Sequence, residues 1–153
     1  PAKRKFRVFV DYAHTEDSLL NVLKTLRELS PNRLITVFGC GGSRDSTKRP
    51  LMGAAVEMNA DYAIITSDNP RKEEPEAIIE DIKKGMRGSN YEVIVDRQQA
   101  IYRAVSLAGP RDIVLIAGKG HETYQEFADR TIPFDDVAVA KAAIESTPVE
   151  YET

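Results

Sequence analysis

The stretch Arg33-Leu34-Ile35-Thr36-Val37-Phe38-Gly39-Cys40-Gly41-Gly42-Ser43-Arg44-Asp45 decides how the chain is read. Its first part is a continuous aliphatic and β-branched run with no polar alternation, the pattern of a strand covered on both faces. It stops in a glycine-rich turn that leads towards a helical segment opening at Pro50, a residue favoured at the start of a helix. A strand buried on both faces and followed by a helix is half of a βαβ unit, whose second strand must run parallel to the first. Working outward, the same kind of run recurs at residues 7–12, 62–68, 91–96 and 112–118, so strand and helix alternate five times. That alternation predicts a Rossmann-like, doubly wound α/β domain with a mainly parallel sheet of about six strands.

The intervening segments have helical signatures. Leu19, Leu23 and Leu26 repeat every three or four residues, with Leu20, Val22 and Leu29 widening the stripe, Thr15 as N-cap and Pro31 as stop. The second helix is expected to bury Leu51, Ala54, Ala55 and Met58. The third, from Pro75, is expected to bury Ile78, Ile79, Ile82 and Met86, with acids in its first turn and Lys83 and Lys84 in its last, matching the helix dipole at both ends. Asp96 with Gln99 three residues on resembles a capping box for the fourth. Residues 124–134 read as a short hairpin, 135–144 as a final helix.

At 153 residues one domain with one core is expected: 1–6 a linker remnant, 7–145 the domain, 146–153 a tail. A net charge of -3 gives no basic field for nucleic acid. Cys40 is the single cysteine, which rules out an internal disulfide and reads as a small loop hydrophobe. No apolar run is long enough to span a bilayer. A cytoplasmic location without membrane or nucleic-acid partners is expected.

In a parallel α/β sheet ligands bind beyond the carboxyl ends of the strands. The loops there carry Asp11-Tyr12-Ala13-His14-Thr15, Gly39-Cys40-Gly41-Gly42-Ser43-Arg44-Asp45, Asp68-Asn69-Pro70-Arg71 and Gly118-Lys119-Gly120-His121-Glu122. Both histidines and five of the nine glycines fall in these loops, whereas the opposite loops are short and plain, so one composite site is expected at that edge. Arg44 and Arg71 are forks suited to carboxylate or phosphate, and Asp68 and Glu122 would accept from ammonium groups. That mixture suits a zwitterion together with a nucleotide. No P-loop, Gly-x-Ser-x-Gly elbow or metal-ligand spacing is present. Each element also has a plainer reading: His14 and His121 as hydrogen-bonding loop residues, Asp68-Asn69-Pro70 as a turn, and Arg44, Lys48 and Arg49 as solvated charges. Their joint placement favours a site.

These motifs, with Lys48-Arg49-Pro50-Leu51-Met52 and Ala117 before Gly118, resemble the C-terminal domain of the Mur ligases, and in particular of the UDP-N-acetylmuramoyl-dipeptide ligases that add diaminopimelate. The resemblance runs in order from about residue 6 to 144. Glu16 departs from it where proline is usual, and Ser43 where aspartate is frequent. It implies ATP-dependent amide formation in peptidoglycan synthesis: Mg-ATP activates a carboxylate of UDP-MurNAc-L-Ala-D-Glu as an acyl phosphate, which the amine of meso-diaminopimelate attacks. By that resemblance Arg44, Asn69 and Arg71 hold carboxylates of diaminopimelate, while Asp68, the carbonyl of Gly118 and Glu122 surround an amino group. Asp11, Tyr12 and His14 lie against the nucleotide, and Lys119 and His121 are positioning residues. The resemblance also implies that the Mg2+ and most ATP contacts belong to a central domain and the UDP site to an N-terminal one, so a monomeric domain inactive alone is expected. A related ligase taking lysine or glutamate, or a non-catalytic amino-acid or nucleotide-binding module, stays open.

Overall fold

A computed structural model describes residues 5–147; the greater parts of the linker remnant and the tail lie outside the described residues. Strands β1 (Arg7–Asp11), β2 (Leu34–Phe38), β3 (Tyr62–Ile65), β4 (Tyr91–Val93) and β5 (Ile113–Ala117) form one five-stranded sheet in the order β1-β5-β2-β3-β4. Every pairing in it is parallel. The chain alternates these strands with helices α1 (Glu16–Arg27), α2 (Arg49–Asn59), α3 (Pro75–Lys83) and α4 (Arg97–Leu107), and ends in α5 (Asp136–Ser146). The sheet stops at five strands because β6 (Tyr124–Glu126) and β7 (Thr131–Pro133) pair only with each other, as an antiparallel ribbon.

Two cores explain the unbroken apolar strands. Leu34 and Phe38 of β2 pack with Leu19, Leu23 and Leu26 of α1, Met52 and Val56 of α2, and Ile78, Ile79 and Ile82 of α3. Ile35 and Val37, pointing the other way, pack with Ala100, Ile101, Ala104 and Val105 of α4 and Ala140 and Ala143 of α5. Since alternate residues of a strand face opposite sides, both sets must be apolar when helices cover both faces. Each fully buried leucine or isoleucine contributes about 1.5–3 kcal/mol of transfer free energy, which outweighs the modest helix propensities of these segments.

The caps follow the sequence with small shifts. Thr15 caps α1 and accepts from the Ser18 amide, and Ser18 returns the bond to the Thr15 amide, so the box closes through serine. The Asp96 carboxylate accepts from the Gln99 amide at 2.9 Å. The second helix is where the sequence reading slips by one position. A 3-10 turn (Ser46–Lys48) precedes it, and its buried face is Arg49, Met52, Gly53, Ala55 and Val56. Leu51 and Met58, expected in the core, are 44% and 84% exposed. The slip has a steric cause: α2 lies so close to α3 that a Cβ at Gly53 would collide with the Ile82 carbonyl oxygen. The smallest residue therefore occupies the contact line, and the larger side chains at 51 and 58 turn outward. Among the described residues no helix is long and apolar enough to cross a membrane.

Candidate functional site

Parallel strands deliver all their carboxyl ends to one edge, and the loops leaving β1, β2, β3 and β5 there enclose a cavity of about 640 Å³. Of the residues singled out in the sequence, Tyr12, His14, Arg44, Asp68, Asn69, Arg71, Gly118 and Glu122 line it. Asp11, Lys119 and His121 do not. Asp11 turns back to accept from the Ala13 amide at 2.8 Å, and its carbonyl accepts from the Gly118 amide at 3.0 Å. His121 stands at the rim, its ring centroid 6.5 Å from that of Tyr12, which in turn meets His14 edge-on at 4.6 Å.

The floor is a network around Asn69. Its Oδ1 accepts from Lys119 Nζ at 2.7 Å and from the Glu126 amide at 2.9 Å. Both donors lack any acceptor function, so the carboxamide orientation is determined: the oxygen faces the protein, leaving Nδ2, without a partner among the described residues, to the cavity. Lys119 is fully buried, donates also to the Tyr124 carbonyl at 2.9 Å and lies 3.3 Å from Asp68 Oδ1. Burial pushes the Lys119 ammonium below its usual range, and the Asp68 carboxylate opposes that drop.

Arg71 is held with equal care. Its φ of 53° lies in the left-handed region, a strained choice for a residue with a side chain, kept in place by its amide donating to the Glu126 carbonyl at 2.9 Å. Nη1 donates to the Gly42 carbonyl at 3.0 Å and Nε lies 3.3 Å from Glu126 Oε2, leaving Nη2 as the unclaimed edge of the fork. Gly42 is required because any Cβ there would collide with the Pro70 carbonyl. At Gly118, with φ of +118°, a Cβ would come within 2.8 Å of Asp68 Oδ2, so glycine brings that carboxylate against the backbone of the β5 loop.

The cavity also holds acceptors: Asp68, 6% exposed, and Glu122, whose Oε2 accepts from the Tyr124 hydroxyl at 3.4 Å. The Glu122 charge raises the Tyr124 phenol. Arg44 is exposed and makes no hydrogen bond or ion pair among the described residues. The cavity lining therefore combines cationic and amide donors with carboxylates, a mixture that suits a ligand bearing both carboxylate and ammonium groups. Cys40 is not a nucleophile here: burial pushes its thiol up to about 12, and Sγ points to the Met52 sulfur at 3.4 Å.

Four contributors escaped the sequence reading. Arg49, read as a possible solvated charge, is 2% exposed, lines the cavity and donates to Glu73 Oε2 at 2.6 Å, Asp81 Oδ2 at 3.0 Å and the Gly41 carbonyl at 3.2 Å. Glu73 also accepts from the Ser43 amide at 2.7 Å, clamping the glycine loop to the β3 loop. Gln125 and Glu126 of the ribbon knit it to residues 68–71, with Gln125 Nε2 donating to the Asp68 carbonyl at 2.8 Å. The one legible signal was a cation at the first position of α2, where a helix dipole disfavours positive charge.

A βαβ domain of this kind, with a charged cleft at the carboxyl edge, defines a ligand-binding α/β module. Residues 1–120 match the family described as Mur ligase, glutamate ligase domain, and the chain belongs to the Mur ligase family. It is 57% identical over 139 residues to the UDP-N-acetylmuramoyl-L-alanyl-D-glutamate--2,6-diaminopimelate ligase of Halalkalibacterium halodurans, covering 91% of this chain and 29% of that protein. The ligase of the same name from Clostridioides difficile is 53% identical over 146 residues, covering 94% of this chain and 30% of its own. The chain thus spans under a third of the length of these relatives. A solved structure of a ligase bearing that name superposes with a TM-score of 0.90 at 47% identity, over 95% of this chain and 30% of the other. Escherichia coli FolC, solved with ADP, shares the fold at a TM-score of 0.58 and 21% identity, over 76% of this chain and 26% of its own.

Proposed function

We propose that this domain is the amino-acid-binding part, and one wall of the ATP site, of a multidomain ligase that adds meso-diaminopimelate to UDP-MurNAc-L-Ala-D-Glu in peptidoglycan synthesis. The observation that carries the reading is the fixed orientation of Asn69. Its amide donors, the free edge of Arg71 and the unpaired Arg44 form a carboxylate-binding side, and Asp68, the Gly118 carbonyl and Glu122 an ammonium-binding side. The names of the two curated ligases and of the solved structure at 47% identity specify 2,6-diaminopimelate and support the same ligand.

In this reading the domain supplies positioning. ATP, once bound with Mg2+, activates the carboxylate of the UDP-linked dipeptide; this chain holds the attacking amine close to it, which gives a large effective concentration. Tyr12, half exposed beside His14, offers a flat face at the rim suited to a nucleotide base, and Asp11 holds the loop that presents it. Lys119 acts from below by fixing Asn69, and His121 from the rim. The Mg2+ falls to domains beyond this chain, and the enzyme works as a cytoplasmic monomer. Lysine lacks the distal carboxylate and would leave Arg71 and Asn69 unmatched, which penalises it strongly.

The test is an ATP-dependent ligation assay on the full-length enzyme carrying this domain, with UDP-MurNAc-L-Ala-D-Glu and either meso-diaminopimelate, L-lysine or glutamate. The expected result is a kcat/KM for diaminopimelate about 10³-fold or more above that for lysine. Equal use of lysine or glutamate assigns the site to another acceptor, and no ligation with any of them leaves a binding module.

A further inference from the structure

The cavity, the surface groove between α1 and α2 and the exposed Met58 apart, the largest feature without a role is a charge pair outside the cavity. Arg97, the first residue of α4, and Asp136, the first residue of α5, have fully buried side chains. The guanidinium grips the carboxylate through Nε to Oδ1 at 2.8 Å and Nη2 to Oδ2 at 2.7 Å. It then reaches across the edge of the sheet: Nη1 donates to the Ser67 carbonyl at 3.0 Å and Nη2 to the Ala117 carbonyl at 3.1 Å. Those carbonyls belong to the residues immediately before Asp68 and Gly118, on chain segments leaving β3 and β5, which are not neighbours because β2 lies between them.

Helix formation accounts for Asp136, an acid in the first turn of α5, but not for Arg97, and core stability does not require a charged pair there. A cation at the first position of α4 opposes the helix dipole. A buried ion pair is also often replaceable by apolar residues without loss of stability, because desolvation offsets the Coulombic gain. Local rules broken without local compensation mark places where geometry serves something else. What the pair does fix is the spacing of two segments whose next residues, Asp68 and Gly118, meet in the cavity with Asp68 Oδ2 against the Gly118 backbone. The ribbon and Lys119 tether the same loops from the opposite side.

We propose that Arg97 and Asp136 are positioning residues that set the separation of Asp68 and the Gly118 backbone, and hence the fit of the ammonium end of the amino-acid substrate; this rests on the function proposed above. The pair touches no substrate. Its loss would misplace the amine rather than weaken ATP or the UDP-linked acceptor.

Two variants of the full-length enzyme test this. Arg97→Lys keeps one buried cation beside Asp136 but cannot reach both carbonyls, and the double variant Arg97→Met with Asp136→Leu removes both charges and fills the space. The expected result for each is a folded enzyme whose KM for diaminopimelate rises about ten-fold or more, with the KM values for ATP and UDP-MurNAc-L-Ala-D-Glu within about two-fold of wild type. A larger KM rise in the double variant than in Arg97→Lys is expected as well. Unchanged diaminopimelate KM in a folded variant overturns the proposal, as do equal rises in all three KM values. Failure of both variants to fold assigns the pair to the fold and overturns it too. Wild-type enzyme inactive with diaminopimelate would instead sink the function on which the proposal rests, a separate outcome read in the same assay.

Discussion

The two ends of the sheet hold charge in different ways. At the amino end Asp112, 1% exposed, accepts from the Arg33 amide at 2.9 Å, Arg33 Nη2 at 2.8 Å and Nε at 3.1 Å, and the Gly109 amide at 2.8 Å. Asp61 likewise takes the Leu34 amide at 2.7 Å and Arg27 Nη1 at 2.9 Å. Their acceptor capacity is turned inward, towards the ends of the protein's own strands. At the carboxyl end the Asn69 carboxamide and the Arg71 guanidinium are bonded to the protein on one side, Lys119 spends its donors within the protein beneath them, and the remaining donors of Asn69 and Arg71 face an open cavity. Polar burial of similar depth therefore serves closure at one end and recognition at the other. The difference lies in which valences are left over.

The largest break in that contrast is expected from Arg71→Ala in the full-length enzyme. Removing one member of a charge-assisted pair should lower kcat/KM for diaminopimelate by about 10²- to 10³-fold and narrow the preference over lysine, as read by steady-state kinetics. Thermal melting should fall only modestly, because the bonds lost within the protein, Nη1 to the Gly42 carbonyl and the partly exposed pair with Glu126, are few and reached by solvent. A kcat/KM within about three-fold of wild type would erase the distinction between the two ends.

Asp112→Ala is expected to do the reverse. The Arg33 amide before β2, the Gly109 amide in the turn after α4 and the Arg33 guanidinium lose their acceptor, so stability should fall by about 2–3 kcal/mol in denaturant unfolding while the KM for every substrate holds. A change in substrate KM with unaltered stability would place recognition at the wrong end.

The smallest effect concerns the clamp under the glycine loop. The Arg49 hydrogen bond holds the Glu73 carboxyl below its ordinary value of 4.5, and those of Lys84 and then Arg49 hold Asp81 below 3.8. Carboxyls depressed on folding stabilise the native state fully above those ordinary values, and the contribution is lost as pH falls through the lower folded-state ones. Glu73→Gln should therefore cost under about 1 kcal/mol at pH 7, since solvent reaches this pair, and should flatten the acid limb of the stability curve below about pH 4.5. An unchanged acid limb in that variant would remove the clamp from the comparison.

Much of this was legible because it is periodic or local. Unbroken apolar runs told of a sheet covered on both sides, and the glycine and charge content of one set of loops told which edge to inspect. What was hidden depends on partners distant in sequence. Arg49 meets Asp81 and Arg97 meets Asp136, with no spacing rule to connect them, so Arg49 reads from the sequence as a solvated charge and Arg97 carries no signal at all. The stripe of α2 was misplaced by one residue because Gly53 marks the contact line through absence of volume, which a hydrophobicity pattern does not register. The ribbon was foreseen as a hairpin, yet its hold on residues 68–71 joins groups more than fifty positions apart, which no local spacing reveals.

The insertion of β5 between β1 and β2 bears on how the molecule comes into being. As the polypeptide leaves the ribosome, β1 waits without a neighbour until roughly a hundred further residues have followed, since its one partner among the described residues spans Ile113–Ala117. Non-local pairing of this kind slows folding and leaves an apolar edge uncovered during synthesis. Nascent chains stalled before position 113 should accordingly be the species most prone to capture by chaperones or to aggregation.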